Sequence, residues 1–507
     1  MVRPFGLGMA SMVGLALTLS TLAPASPTTN RESLAASGGL PLLSHHGRWV
    51  TDPKGRVVVL HGVQIDHWEP TAPVNVIDLS PANVQFIASM GFNLARVSMT
   101  YSGVAPTPGS FDQSYVNSFV SFDQQLAGAG IYDLLDMMQG EYSQAIGGWG
   151  FPNWMTMTDG APNTDTPFPN GYEENPAEYT AWDNFWANAV DTDGVGLQDD
   201  YASGLHQIAQ HFADAPALLG IEILNEPWPG ASWPTCANPV GCPAFDQALT
   251  AFYQREVPAI RSADPNHLVV YEPNIFFDYG AATQLDNVDD PNALFAFHNY
   301  CLSGIASGIE GLPNGETPSD PLQLCGVDEN MVLSNAEQRT QASGDALLMD
   351  EWGNTTDTTV LERMAAEADA HMVGWSYWAY EDCCESAAAI VKDGTASPLA
   401  PGNLNSAVLD ALVRPYPQAV AGTPTGWSFD PSFKVFRLTY STTPVGGGSF
   451  PNGTLTQVEV PSLQYPTGYS ITVSGARVVS GPNASTLLLK TDRGANAVSV
   501  TVSPAGA

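Results

Sequence analysis

The chain has 507 residues, 52 of them acidic and 17 basic, for a formal charge of −35, with 44% hydrophobic residues and 12 tryptophans. Such an acidic surface repels phosphate backbones and anionic lipid, which argues against a polyanionic partner, nucleic acid included, and the aromatic content argues against a disordered chain. The length exceeds one ordinary domain and suits a barrel of about 250 residues or more followed by a smaller module.

Residues 1–25 read as a secretory signal peptide. Arg3 is the only early charge, Phe5 to Leu22 is apolar, and Ala23-Pro24-Ala25 has the small-x-small form of a cleavage site. Residues 26–44 are then a flexible leader, and the protein is expected to be secreted, with no membrane span after cleavage. A retained anchor is the alternative, weakened by the Gly, Ser and Thr within the apolar run.

From 45 to 413, apolar runs of strand length alternate with helical stretches. The strand candidates are residues 56–63, 92–98, 131–138, 219–224, 267–271, 294–298, 346–349 and 372–378. Helices are expected near 81–90, 178–212 with a break at 191–196, 244–260, 358–371 and 404–412, and a polar loop is expected to run to about residue 330. Eight such units predict an α/β fold, a (β/α)8 TIM barrel. Beyond Arg414-Pro415-Tyr416-Pro417 the pattern changes to period-two alternation, which predicts a small C-terminal all-β sandwich over 414–507. Gly446-Gly447-Gly448-Ser449 reads as a hairpin loop within it.

Six cysteines in an exported chain imply disulfides. Locality favours Cys236–Cys242 and Cys301–Cys325, with Cys383 and Cys384 adjacent; six cysteines allow fifteen complete pairings. No CxxC pair with partner histidines occurs, so no metal and no other cofactor is expected.

Two stretches carry the chemistry. Ile221-Glu222-Ile223-Leu224-Asn225-Glu226-Pro227-Trp228 is an apolar run ending in Asn-Glu-Pro, and Ala346-Leu347-Leu348-Met349-Asp350-Glu351-Trp352-Gly353 ends likewise in an acid. A barrel gathers strand-end residues on one face, and glycosidic cleavage needs one protonated acid and one ionised carboxylate. Glu226 is the expected general acid/base and Glu351 the expected nucleophile. Arg96 is placed to hold Glu351 charged, with Tyr300 as a second donor to it. His298 orients Glu226 or a sugar hydroxyl, Asn225 takes the sugar 2-hydroxyl, and Trp378 offers an apolar face to a sugar ring. Each has an ordinary alternative: a strand-end ion pair for Arg96, a core role for His298 and Trp378.

The set Arg96, Asn225-Glu226-Pro227, His298-Asn299-Tyr300, Glu351 and Trp378, in that order, resembles glycoside hydrolase family 5. Within it, Asn225-Glu226-Pro227-Trp228, Phe297-His298-Asn299-Tyr300-Cys301 and the run from Arg414 to Thr425 are similar to the endoglycoceramidases and related bacterial glycosylceramidases. The resemblance implies a retaining β-glycosidase that cuts the glycan–ceramide bond of glycosphingolipids by double displacement, with detergent or an activator presenting the lipid. The other readings are a different family 5 β-glycosidase, such as a glucosylceramidase or β-glycanase, and an inactive glycan- or lipid-binding protein. The sequence also departs from the family pattern. Where Asp-Met-His-Gln-Asp is usual it has Asp136-Met137-Met138-Gln139-Gly140, with Glu141 as a compensating acid. It has Asp350 for Gly, Trp352 for Phe, and Asp66-His67-Trp68-Glu69 where a lysine is common. A remodelled sugar pocket is therefore expected. Trp149, Phe151, Trp154, Met155 and Met157 read as loop packing, or alternatively as a lip for ceramide.

Overall fold

A computed structural model describes residues 40–66, 77–164, 166, 168–300, 321–382 and 387–506. The signal-peptide segment, most of the leader, His67-Trp68-Glu69, Cys301, Cys383 and Cys384 lie outside the described residues.

Three short strands come first: β1 (Ser44–His46), β2 (Trp49–Thr51) and β3 (Val57–Val58). The barrel strands follow as β4 (His61–Ile65), β5 (Leu94–Met99), β6 (Tyr132–Met137) and β7 (Leu218–Glu222), then β8 (Leu268–Tyr271), β9 (Ala293–Asn299), β10 (Ala346–Trp352) and β11 (Gly374–Tyr377). They close in the order β10-β11-β4-β5-β6-β7-β8-β9, every pair parallel. Every residue of β4 to β10 is buried. Helices cover the outer face and side chains fill the inner one, which is why these strands read as continuous apolar runs. Leu94, Leu134, Leu219, Leu268, Leu294 and Leu348 form one interior cluster.

Two helices were not evident from the sequence. Gln113–Ala129 is capped by Asp112, whose side chain accepts from the Tyr115 N–H at 2.9 Å, and stopped by Gly130 at φ 79°. Pro321–Ser343 starts inside the expected polar loop; its buried Val332, Leu333 and Ala336 form only a narrow stripe among polar residues.

The C-terminal strands are β12 (Tyr416–Val420), β13 (Thr423–Asp430), β14 (Val435–Ser441), β15 (Thr456–Glu459), β16 (Tyr469–Ser474), β17 (Ala476–Val478), β18 (Thr486–Thr491) and β19 (Ala497–Pro504). They form two sheets, β1-β2-β3-β12-β15-β18-β17 and β13-β14-β19-β16, around Trp427, Phe436, Leu438, Val458, Leu487 and Val500. The expected first strand over 56–63 is in fact two. Val57 and Val58 pair with Val420 and Ala419 in this C-terminal sheet, and only from His61 does the chain enter the barrel. Gly446 to Ser449 lies between β14 and β15, which belong to different sheets, so it links sheets and is not a hairpin loop. Asp369, on the barrel helix Thr358–His371, accepts from Arg414 at 2.6 Å and from the Trp427 indole at 2.8 Å, tying the module to the barrel.

A disulfide joins Cys236 to Cys242. Cys325 is also disulfide-bonded; Cys301, its expected partner, lies outside the described residues.

Several buried acids set the pH response of the fold. Burial, with Glu141 nearby, pushes Glu178 up to about 9. Burial and Glu329 push Glu367 up to about 8, and burial pushes Glu141 up to about 7. These groups keep protons in the folded state that the unfolded chain releases, so each loses stability as pH rises from the ordinary carboxylate range through its folded value. Burial disfavours the charge on Glu222 too, but Arg96 outweighs it and holds Glu222 down to about 2, so its stabilisation is lost only in strong acid. The melting temperature is expected to be highest at about pH 5 and to fall continuously toward about pH 9. Calorimetry across that range checks this, and a flat or rising profile contradicts it.

Candidate active site

Glu226 follows β7 on a bend rather than within a strand. Its φ is +43°, a left-handed conformation unusual for a residue with a side chain. Three contacts hold it there. The Gln139 amide donates to the carbonyls of Asn225 and Glu226 at 2.9 and 3.1 Å, and the Glu226 N–H donates to Glu272 Oε2 at 2.9 Å. Pro227 then fixes the exit of the chain.

Glu351 is on β10, where the register against β9 shifts between Met349 and Glu351. The extra residue at that bulge is Asp350, and the shift sets Glu351 opposite His298. Arg96 Nη1 donates to Glu351 Oε2 at 2.7 Å, and the Tyr300 hydroxyl donates to Oε1 at 2.8 Å. Burial and the Glu351 charge push the Tyr300 phenol well above its usual range, which keeps it a donor.

Arg96 is the hub beneath the site. It is fully buried, and its fork binds Glu222 bidentately at 2.8 and 2.7 Å. It also donates to Asn225 Oδ1 at 2.9 Å and to Gln64 Oε1 at 3.0 Å, and lies 3.3 Å from Asp136, Glu272 and Asp350. One guanidinium cannot neutralise so many acids. Burial, with the neighbouring Glu222 charge, pushes Asp136 and Asp350 well above the carboxylate range, so they retain protons. Asp350 then donates to the ionised Glu222, which accounts for one of the two Asp350 oxygens that find no donor among ordinary N–H and O–H groups.

His298 lies between the two glutamates. Its Nδ1 is 2.9 Å from Glu226 Oε1 and 3.5 Å from Glu351 Oε1, and its Nε2 is 2.9 Å from Glu272. Burial disfavours its charge, but Glu272 and Glu351 overcome that and raise its pKa well above the ordinary value, so it is an imidazolium at neutral pH. One carboxylate oxygen of Glu226 and one of Glu351 lie within 4.8 Å of each other. Above them opens a cavity of about 810 Å³. Trp378, at the end of β11, lines it.

The structure therefore brings Glu226, Glu351, Arg96, His298, Tyr300 and Trp378 together. Asn225 sits beneath the cavity, 1% exposed, with its amide N–H on the Gln139 carbonyl. Two expectations change. Glu141 does not replace the missing acid: its carboxylate lies against Gly171, away from the cavity. Of the residues considered for a lipid lip, Phe151 and Met155 are core and Trp154 and Met157 pack against it, leaving Trp149 alone on the cavity wall. The apolar wall comes instead from Trp228, Ile275, Phe276 and Tyr279 after β7 and β8, and from Met331. The sequence reading also missed Glu222, Glu272, Asp136 and Asp350 as partners of Arg96. Their signal was an acid in or at the end of a buried strand.

A family model described as Cellulase (glycosyl hydrolase family 5) matches residues 52–383, and one described as Glycoside hydrolase family 5 C-terminal domain matches residues 414–503. The chain belongs to glycoside hydrolase family 5. It is a glycoside hydrolase with a family 5 barrel and the C-terminal domain of that family. Endoglycoceramidase I from Rhodococcus hoagii (strain 103S) is 30% identical over 474 residues, covering 92% of this chain and 88% of the relative. An endoglycoceramidase from Cyanea nozakii is 26% identical over 428 residues, covering 78% and 80%. Among solved structures, endo-glycoceramidase II from Rhodococcus sp. superposes with a TM-score of 0.74 at 28% identity, covering 90% of this chain and 100% of that one. That enzyme has also been solved with ganglioside GM3 and as a lactosyl-enzyme intermediate. The departures at Met138 and Gly140 follow β6 and line the cavity. A Cβ on Gly140 would meet the Trp149 indole at 2.3 Å, so Trp149 occupies the space where a side chain at 140 would lie.

Proposed function

We propose that this family 5 enzyme is a secreted retaining glycosidase that hydrolyses the glycan–ceramide bond of glycosphingolipids. The approach of Glu226 and Glu351 within 4.8 Å carries the mechanism: retaining enzymes hold their two carboxyl groups about 5–5.5 Å apart, whereas inverting ones leave room for a water between them. Glu351, held by Arg96 and Tyr300, attacks the anomeric carbon while Glu226 gives its proton to the departing ceramide oxygen. A glycosyl ester on Glu351 results. Its formation removes the Glu351 charge, and Glu226 then takes a proton from the water that hydrolyses the ester. His298 positions Glu226 through the 2.9 Å contact. Asn225 has a second amide N–H to offer the 2-hydroxyl, and Trp378 packs under the sugar.

The aglycone assignment rests on the wall formed by Trp228, Ile275, Phe276 and Met331, since each methylene buried there contributes about 0.8 kcal/mol. Likeness to endoglycoceramidases supports the same substrate class. Detergent or an activator presents the lipid. Elsewhere in the lining, Met138 and Trp149 stand where the family grips sugar hydroxyls, which favours a glycone that asks little of that wall, as in a glucosylceramidase. Trp149→Ala removes that apolar face and is expected to lower kcat/KM by roughly tenfold or more, by the area it buries. Steady-state kinetics check this, and an unchanged kcat/KM removes Trp149 from the sugar site.

The test is product analysis by chromatography and mass spectrometry after incubation, in detergent, with a ganglioside, lactosylceramide, glucosylceramide and carboxymethylcellulose. Intact glycan with free ceramide is the expected result. Release from glucosylceramide alone narrows the reading to a glucosylceramidase, and sugar from cellulose alone overturns it.

A further inference from the structure

The loop Asp191-Thr192-Asp193-Gly194-Val195-Gly196 leads into the helix Leu197–Phe212, whose first turn carries Asp200. The loop is folded on itself. The Asp193 N–H donates to Asp191 Oδ1 at 2.6 Å, the Val195 N–H to Asp193 Oδ1 at 3.0 Å, and the Asp191 N–H to the Val195 carbonyl at 2.9 Å. It brings together one carboxylate oxygen from each of Asp191, Asp193 and Asp200, all within 4.8 Å of one another.

Such a cluster alone shows nothing, because exposed acids often gather without a ligand. Asp200 is different. It is 8% exposed, and its Oδ2 is buried without a hydrogen-bond partner. Asp191 Oδ2 is in the same state. Among the described residues none of the three carboxylates has an ion-pair partner; the neighbouring cation, Arg255, pairs with Asp199 at 2.5 Å. A buried carboxylate facing two others, with no donor, lacks the compensation that burial of a charge requires.

We propose that Asp191, Asp193 and Asp200 bind a calcium ion. The donor set is all oxygen, which suits a hard cation. Calcium binds oxygen at about 2.3–2.6 Å, so two of its ligands lie at most about 5 Å apart, which accommodates these separations. Magnesium, at about 2.0–2.1 Å, demands a regular octahedron, which three carboxylates on one folded loop and a helix turn suit less well. Asp193 is exposed and leaves that side open for waters to complete the shell. The helix N-terminus opposes a cation with about half a charge, far less than three carboxylates supply. The ion would clip the loop to a helix that is itself tied to the barrel, because the Asp200 carbonyl accepts from the Tyr101 hydroxyl at 2.6 Å.

The experiment is titration calorimetry and thermal melting of the full enzyme, stripped with EDTA, against calcium and then magnesium chloride. One calcium per chain should bind with a dissociation constant below about 1 mM, as in extracellular modules, and raise the melting temperature; magnesium should bind at least tenfold more weakly. Asp193→Asn and Asp200→Asn should each weaken calcium binding at least tenfold, with melting in EDTA unchanged or higher because repulsion is relieved. Asp193 is exposed, so its variant keeps the test valid should Asp200→Asn fail to fold. No binding heat and no melting shift up to about 10 mM calcium overturns the site, as does a shift that survives Asp193→Asn intact.

Discussion

Glu351→Gln is expected to lower kcat/KM on glycosphingolipid by about five orders of magnitude or more, with a melting temperature close to that of the parent. The amide cannot form the glycosyl ester, so the whole covalent route is lost. Glutamine retains the size of the side chain and an acceptor for Tyr300, so packing is kept. Glu226→Gln should behave differently. Ceramide leaves as a poor alkoxide and needs protonation, so hydrolysis of the lipid falls by about 10²–10⁴-fold or more. An aryl glycoside with an acidic phenol needs no such help, and its first step should remain within about tenfold of the parent. The second step stalls for want of a base, and added azide, which attacks without one, should restore turnover as the glycosyl azide. Near-parental hydrolysis of lipid by either variant would remove that residue from its role. Azide rescue in the Glu351 variant with retained configuration would exchange the two assignments.

Arg96→Met is expected to destabilise the fold more than either glutamate variant, by about 3–5 kcal/mol at neutral pH. The reason is the company Arg96 keeps: Glu222 in bidentate contact, Glu351 at 2.7 Å, and Asp136, Glu272 and Asp350 at 3.3 Å, with Arg96 itself 0% exposed. Without it, Glu222 is a buried acid among acids, and its folded pKa rises from about 2 to above its unfolded value. A carboxyl with a raised folded pKa costs stability as pH rises, so the deficit, already present at about pH 4–5 where the parent Glu222 is ionised, should grow further toward about pH 8. Arg96→Lys should recover little, because a single ammonium cannot reproduce the fork on Glu222 together with the bond to Glu351. Urea unfolding at the two pH values measures this. A deficit independent of pH would mean that packing, not charge, is what Arg96 supplies.

The barrel was readable because a parallel strand covered on both faces has to be apolar throughout, and eight such runs stood out. Glu226 and Glu351 were readable because each ends such a run in a context that presents it at the strand end. Arg96, His298 and Tyr300 were assigned to these two glutamates, and the contacts at 2.7, 2.9 and 2.8 Å place them there. The acids under Arg96 were visible as exceptions, an Asp or Glu in or at the end of a buried strand. What no local pattern tells is that they converge on one guanidinium. That follows only from closure of the barrel and its registers, which set Arg96 beside Leu134 and Asp136 beside Glu222. Pairing of Val57 and Val58 with β12 was hidden for the same reason: the partners are distant in sequence, and two valines before a barrel strand look like its beginning. Trp149 over Gly140 is a third case. The substitution of the usual aspartate was plain in the sequence, but the indole filling its place comes from a loop whose path only the fold reveals.

The most direct test of the two-glutamate account is mass spectrometry after incubation with a 2-deoxy-2-fluoro-β-lactosyl or -glucosyl fluoride. The fluorine at C2 slows breakdown of a glycosyl ester, while fluoride leaves without acid help, so the intermediate accumulates. One added fluoroglycosyl group per chain is expected, carried after digestion by the peptide containing Glu351 and localised to that residue by fragmentation. Label on Asp350, on Glu226 or elsewhere would contradict it, as would turnover of the reagent with inverted configuration and no adduct.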